Sequence, residues 1–434
     1  EVVMTYSAEG LGGMTRHYHD MYRNHLIRGE YRDKKRPILI NNWEATYFDF
    51  NEEKLVKIAE KAAQIGIDTM VLDDGWFHER RDDTKGLGDW VVDPEVWPNG
   101  LDGIAQHVHD LGMQFGLWFE PEMVSPDSEL YRAHPDWCIH AEGRPRSQTR
   151  NQLVLDLSRS DVCDYIIKSI SDVLNSAPIS YVKWDYNRNF SEMGSAALTP
   201  ECQQEQAHRY ILGLYNILEE LNKRFPDVLF EGCSGGGGRF DPGMLYYMPQ
   251  IWCSDDTDAV ERIFIQYGTS IVYPVVTISA HVSACPNHQV GRTTPFKMRG
   301  DVAMSGQFGY EMDLSALSDE DLASAKEQVA FYKKYRNVVQ YGDMYRLVSP
   351  YENDGEFAAW QFIKDKTAIL YTFNIKGIPS AALRRVKMQG LLPDAVYREE
   401  GTGREYNGEF LMNVGVVCEC NQDYISTVSV FTKQ

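Results

Sequence analysis

The chain has 434 residues, 43% of them hydrophobic and 24% charged, with a formal net charge of −20. That is enough for one large domain and a smaller one, and so acidic a surface repels phosphate backbones and anionic lipid, so neither nucleic acid nor membrane is an expected partner. No apolar run approaches the roughly 20 residues that cross a bilayer, and "EVVMTYSAEG" opens with no basic-then-apolar leader, so a cytoplasmic protein is expected.

Residues 1–35 read as a helical N-terminal segment. From Arg36 onward, short apolar runs alternate with amphipathic helical stretches. "PILINNW" (37–43) reads as a strand, and "NEEKLVKIAEKAAQIG" (51–66) as a helix. Asn51 is its expected N-cap, and Leu55, Ile58, Ala59, Ala62 and Ile65 share its inner face. The pattern continues through "DTMVLDDGW" (68–76), a helix near 101–111, "MQFGLWFEPE" (113–122), "QLVLDLS" (152–158), a helix near 161–175 and "SYVKWDYN" (180–187). A helix near 203–224 leads to "VLFEGCS" (228–234) and "QIWCSDD" (250–256). Helix 258–268, "SIVYPVV" (270–276), a helix near 296–305 and "GQFGYEMD" (306–313) complete the run. Strands alternating with helices are parallel strands joined by crossovers. About eight of them over residues 36–340 predict a (β/α)8 barrel of the TIM type, with an open doubly wound sheet as the alternative.

A long helix is expected near 317–342. Beyond it, residues 341–434 change to short alternating runs such as "AAWQFI", "TAILYTF", "RVKMQGL", "EFLMNVGVV" and "ISTVSVFT". These predict a small C-terminal antiparallel β-sandwich domain. The eight cysteines are scattered with no CxxC pair, so free thiols are expected. The histidines of "HYH" (17–19) and "HVH" (107–109) fall in helical patterns and there is no HExxH, so no metal or other cofactor is expected.

Chemistry gathers where the strands end, which in a barrel is the functional face. The runs end in Asp73-Asp74, in Trp118-Phe119-Glu120-Pro121-Glu122, in Lys183 to Arg188, in Cys233 before four glycines and Arg239, and in Asp255-Asp256. In "SYVKWDYN", Lys183, Asp185 and Asn187 share one face. An ion pair between Lys183 and Asp185 is the ordinary structural explanation, and a helix N-cap is the ordinary explanation for Asp258. Neither accounts for so many carboxylates on one rim, which raise each other's pKa and call for a metal or for proton transfer. Tryptophans at 43, 76, 118 and 184 favour a sugar site, where aromatic faces stack on C–H faces and two carboxyls flank the scissile bond. "CSGGGGRF" is a poor phosphate cradle, since no Lys-Ser/Thr follows it.

Taken together, "NNWEATYFDFNEEKL", "VLDDGWF", "LWFEPEM", "YVKWDYNR", "EGCSGGGGRFD" and "WCSDDTDA" resemble the bacterial α-galactosidases of glycosyl hydrolase family 36, from about residue 8 to the C-terminus. The resemblance implies a metal-free retaining hydrolase acting on terminal α-galactose of melibiose- or raffinose-like oligosaccharides. It implies Asp185 as nucleophile and Asp255 as acid/base, with Asp73 and Asp74 reading galactose O4 and O6. Arg150, Lys183, Asn187, Cys233 and Gly236 are implied as further hydroxyl contacts, with Cys233 and the glycines beside C2, and Trp43 and Trp118 as aromatic walls. An α-N-acetylgalactosaminidase or a transgalactosylase on the same scaffold, and a non-catalytic galactose-binding remnant, are the alternatives. Members usually carry an N-terminal β-sandwich before the barrel, and the chain begins where such a domain would be ending. The resemblance therefore implies an oligosaccharide partner and a homo-oligomer, weakened if that domain is absent.

Overall fold

The computed structural model describes residues 2–380, 382–418 and 420–434. Eight parallel strands close into a barrel: β1 (Leu39–Asn41), β2 (Thr69–Leu72), β3 (Gln114–Phe119), β4 (Ile179–Trp184), β5 (Leu229–Gly232), β6 (Gln250–Trp252), β7 (Ile278–Ser283) and β8 (Gln307–Glu311). Each strand pairs with its sequence neighbour, and β1 closes on β8 through Leu39 opposite Gly309. The barrel is the expected fold, and the open sheet is excluded.

Local chemistry explains the first crossover. The Asn51 side chain accepts from the Lys54 amide at 2.9 Å and starts helix Glu52–Ile65, a cap worth about 1 kcal/mol. Gly66 stops it with φ 88°, a left-handed conformation that glycine enters at little cost. The five apolar positions expected inside are all buried. Helices Gly100–Asp110, Ser160–Ser176, Gln206–Arg224 and Ala259–Thr269 likewise bury an apolar face, though their ends are built differently. Asp258 caps the last of these, accepting from the Val260 and Glu261 amides.

Three expected strands are corrected. In "QLVLDLS" only Leu153–Val154 is extended, and it pairs antiparallel with Met123–Val124 in the excursion after β3, outside the barrel. "SIVYPVV" is not a strand. Its residues form turns (Tyr273 N–H donates to Thr269 at 3.1 Å), and Pro274, with no N–H to give a ladder, leads into a 3₁₀ turn at Val275–Thr277. The seventh strand is the next segment, Ile278–Ser283, in which Ser279, His281 and Ser283 alternate with Ile278, Ala280 and Val282 and all are buried. In "EFLMNVGVV" the first residues form helix Gly408–Asn413, and only Val416–Cys418 is strand.

The C-terminal part is antiparallel, as expected. Six strands (Asp343–Val348, Phe357–Lys364, Thr367–Asn374, Ile425–Lys433, Val396–Glu399 and Glu405–Asn407) form one sheet in that spatial order, and Arg384–Val386 pairs with Val416–Cys418 as a second. Alternation splits the large sheet. Phe357, Ala359, Leu370 and Phe431 pack with Val386, Met388, Leu411 and Cys418 between the layers. Trp360, Phe362, Tyr371 and Phe373 face the other way and join the core of the barrel.

Candidate active site

A cavity of about 310 Å³ opens at the carboxyl ends of the barrel strands. Beneath it the barrel is plugged by Leu39, Val71, Tyr181 and Leu229, with Tyr31 below, so the cavity ends blind. Eight carboxyl side chains line it against three Lys or Arg cations. That imbalance makes proton placement the central question of the site.

β1 and β2 build the first wall. Asn41 donates to Asp73 Oδ2 at 2.7 Å, and Asn42 Oδ1 accepts from the Asp73 amide at 2.8 Å. Lys183 donates to the same Asp73 oxygen at 2.8 Å. The ordinary pairing of Lys183 with Asp185 is therefore not what forms; the partner of Lys183 is Asp73, 110 residues earlier. Burial alone would favour a neutral amine, but the Asp73 charge, then Glu311 and others, hold Lys183 well above the usual lysine range. Arg80 grips Asp74 with two nitrogens, at 3.0 and 2.8 Å. Burial raises the Asp74 carboxyl and the guanidinium partly offsets it.

Asp185 follows directly on β4. It accepts from the Tyr186 amide at 2.8 Å, the Asn187 side chain at 2.7 Å and the Trp118 indole at 3.1 Å. Asp255 follows β6, exposed to the cavity mouth, with Trp252 Nε1 donating to it at 3.0 Å. Burial of the region and then the Asp185 charge push the Asp255 carboxyl up from the ordinary aspartate value. Asp256 turns away and accepts from the Asp258 amide at 3.0 Å. Of the adjacent pair, then, Asp255 is the one that lines the cavity.

The remaining expected residues fall around these. Trp43, Trp118, Arg150, Lys183, Asn187 and Cys233 all line the cavity. Arg150 and its neighbour Asn151 hold φ 53° and 57°, strain of a kind that clusters at functional sites. Burial, then the Asp185 and Asp255 charges, keep the Cys233 thiol far above its usual range. Gly236 does not line the cavity. It backs Asp255: at φ 83°, a Cβ there would sit 2.7 Å from the Asp255 amide nitrogen, so the glycine loop lets two backbones touch.

Two strand-end residues have another job. Glu122 is fully buried behind the cavity, bound by Arg239 at 3.0 and 2.8 Å, by Trp184 Nε1 at 2.9 Å and by the Tyr210 hydroxyl at 2.6 Å. Removing the cation strands a buried charge, so Arg239→Met is expected to cost about 3–5 kcal/mol. Urea unfolding checks this, and adding Glu122→Gln should recover much of the loss; an unchanged midpoint in the single variant would show the pair to be dispensable.

Several lining residues had only weak sequence signals. Glu44 lies inside "NNWEATYF" and Glu311 inside "GQFGYEMD", where the strand-end rule would have found it. Burial, then the Glu311 charge, lifts Glu44 to about 8. His281 and Lys183 outweigh burial at Glu311, which is held low. Among the described residues, no three His, Cys, Asp or Glu side chains group so as to hold a metal ion, and no helix is long and apolar enough to cross a membrane.

Residues 1–342 match the Melibiase family model, and residues 357–431 match the glycosyl hydrolase family 36 C-terminal domain. The chain belongs to glycosyl hydrolase family 36. This family 36 chain is 60% identical over 429 residues to alpha-galactosidase AgaA of Geobacillus stearothermophilus, covering 98% of the chain and 58% of AgaA. The chain thus spans under two thirds of that relative's length. Crystal structures of AgaA variants in complex with raffinose and with stachyose are each 57% identical to it. Each matches with a TM-score of 0.97, covering 99% of this chain and 60% of theirs.

Proposed function

We propose that the chain carries the active site of a retaining, exo-acting α-galactosidase. The observation that carries this reading is the pair of differently prepared carboxyls on one cavity. Asp185 meets three donors, which suits an ionised nucleophile. Asp255 meets one and is pushed upward, which suits an acid that starts protonated. Asp185 attacks the anomeric carbon while Asp255 protonates the departing oxygen. Asp255 then takes a proton from water as the galactosyl ester is hydrolysed.

Asp73 and Asp74, fixed by Lys183 and Arg80, present rigid acceptors for the axial O4 and for O6 of galactose. The glucose epimer would leave those acceptors without the hydroxyl they are aimed at, a loss that such sites convert into strong discrimination. The blind floor supports exo action, since a chain end can enter but a polymer cannot thread through. Raffinose and stachyose in the AgaA structures support a terminal α-galactose on an oligosaccharide as substrate. All eight cysteines are free, which supports a reducing, cytoplasmic setting.

The test is hydrolysis of p-nitrophenyl α-galactoside by this chain, with the first-formed sugar followed by proton NMR. Turnover releasing α-galactose before mutarotation is expected. Initial β-galactose would replace double displacement by inversion. Galactose binding without turnover would reduce the chain to a binding module.

A further inference from the structure

Glu120 directly follows β3 and is 2% exposed, yet it lines the cavity beside Asp185. The two segments are stitched together: the Asp185 amide donates to Phe119 O at 2.7 Å, and the Asn187 amide donates to Glu120 Oε1 at 2.5 Å. Gln152, on the excursion after β3, donates to the same oxygen at 3.2 Å. The titratable groups that face Glu120 are Asp185 and Tyr186 from the segment after β4 and Arg80 from the loop after β2. Two carboxyls this close and this buried do not both ionise readily.

Donors decide which one takes the proton. Asp185 accepts three hydrogen bonds, spread over both of its oxygens. On Glu120 the bonds from Gln152 and from the Asn187 backbone both fall on Oε1, while the Asn187 side chain, bonded to Asp185, also favours the charged form. Arg80, the cation that acts on Glu120, is committed to Asp74 through two nitrogens. The Glu120 Oε2 oxygen is thus where a proton is best placed. Burial, then the Asp185 charge, push this carboxyl up to about 8, in line with the geometry.

We propose that Glu120 is a positioning residue that stays protonated in the resting enzyme: Oε1 anchors the Asn187 backbone so that the Asn187 side chain meets Asp185, and the proton on Oε2 withholds a second negative charge from the nucleophile. This rests on the reading of Asp185 as nucleophile. The sign follows from charge. As pH rises through about 8, Glu120 loses its proton and the nucleophile gains an anionic neighbour. Taking the charge off Asp185 makes that proton easier to lose.

The test combines Glu120→Gln, Glu120→Ala and Asp185→Asn in the full chain. The infrared difference between wild type and Glu120→Gln at neutral pH is expected to show the C=O stretch of a protonated carboxyl, fading as pH rises through about 8. In the Asp185→Asn background the same band should fade at lower pH, a shift that a merely structural side chain would not produce. Glu120→Gln, an isostere of the acid, should keep kcat near wild type on p-nitrophenyl α-galactoside. Glu120→Ala, which frees Asn187, should lose about 100-fold in kcat with KM little changed. A Gln variant as inactive as the Ala variant, or no band in the difference spectrum, would overturn the proposal. The band is read without turnover, so a failure of the galactosidase reading shows up separately, as an inactive wild type that still carries the band.

Discussion

Asp185→Ala is expected to lower kcat on p-nitrophenyl α-galactoside by roughly 10⁴–10⁶-fold, while galactose still binds. On the proposed mechanism the substitution removes the atom that bonds to the anomeric carbon. It leaves Lys183 on Asp73 and Arg80 on Asp74, so that wall of the cavity stays assembled. The smaller side chain also opens space beneath the sugar. Azide admitted there can attack from the face Asp185 used, and a single displacement gives β-galactosyl azide. Absorbance of released nitrophenolate measures the loss, and NMR of the azide product identifies the face. A variant that keeps more than a few per cent of wild-type turnover would move the nucleophile elsewhere.

The second large effect depends on the leaving group. On the proposed mechanism Asp255→Asn removes the proton donor, which should cost about 10²–10⁴-fold on raffinose, whose fission expels a poorly stabilised alkoxide. The first step with the nitrophenyl galactoside should suffer far less, because nitrophenolate departs without a proton. The pH profile supplies the sign. The Asp255 carboxyl is pushed up from its ordinary range, so on the proposed mechanism wild-type activity is expected to fall on the alkaline side as that proton is lost; the variant should lose this contribution and keep only what the ionisation of Glu120 imposes. Parallel kcat/KM profiles on both substrates check it. Equal losses on the two would show that Asp255 does not protonate the leaving oxygen.

How much of this was legible in the sequence depends on where each residue's partner lies. Helix Glu52–Ile65 was readable because cap, stop and apolar face are all local. Strand β7 was not, because Ser279, His281 and Ser283 occupy alternate buried positions, and a polar buried face erases the apolar run that marks a barrel strand. "SIVYPVV" carried that signal instead, with a proline inside it. The strand-end rule found Asp73, Asp185 and Asp255. It missed the pairings that hold them, since contacts such as Lys183 to Asp73, 110 residues apart, leave no local trace. Arg80 was closer to hand, six residues from Asp74, but in a loop whose course no periodicity announces.

The two faces of the large C-terminal sheet have one more consequence. Trp360, Phe362, Tyr371 and Phe373 belong to the same buried cluster as the barrel residues Met298, Val302 and Tyr332, and Asp301 takes both Lys297 and the Ser426 hydroxyl at the seam. Helices Phe296–Ala303 and Asp319–Tyr341 therefore lack a water-facing alternative on that side. If the sheet peels away, apolar side chains of the barrel's last quarter are exposed at the same moment. Sheet and barrel should in this sense unfold as one cooperative unit, local melting at the C-terminus reaching β7 and β8, the second of which carries Glu311 to the cavity wall.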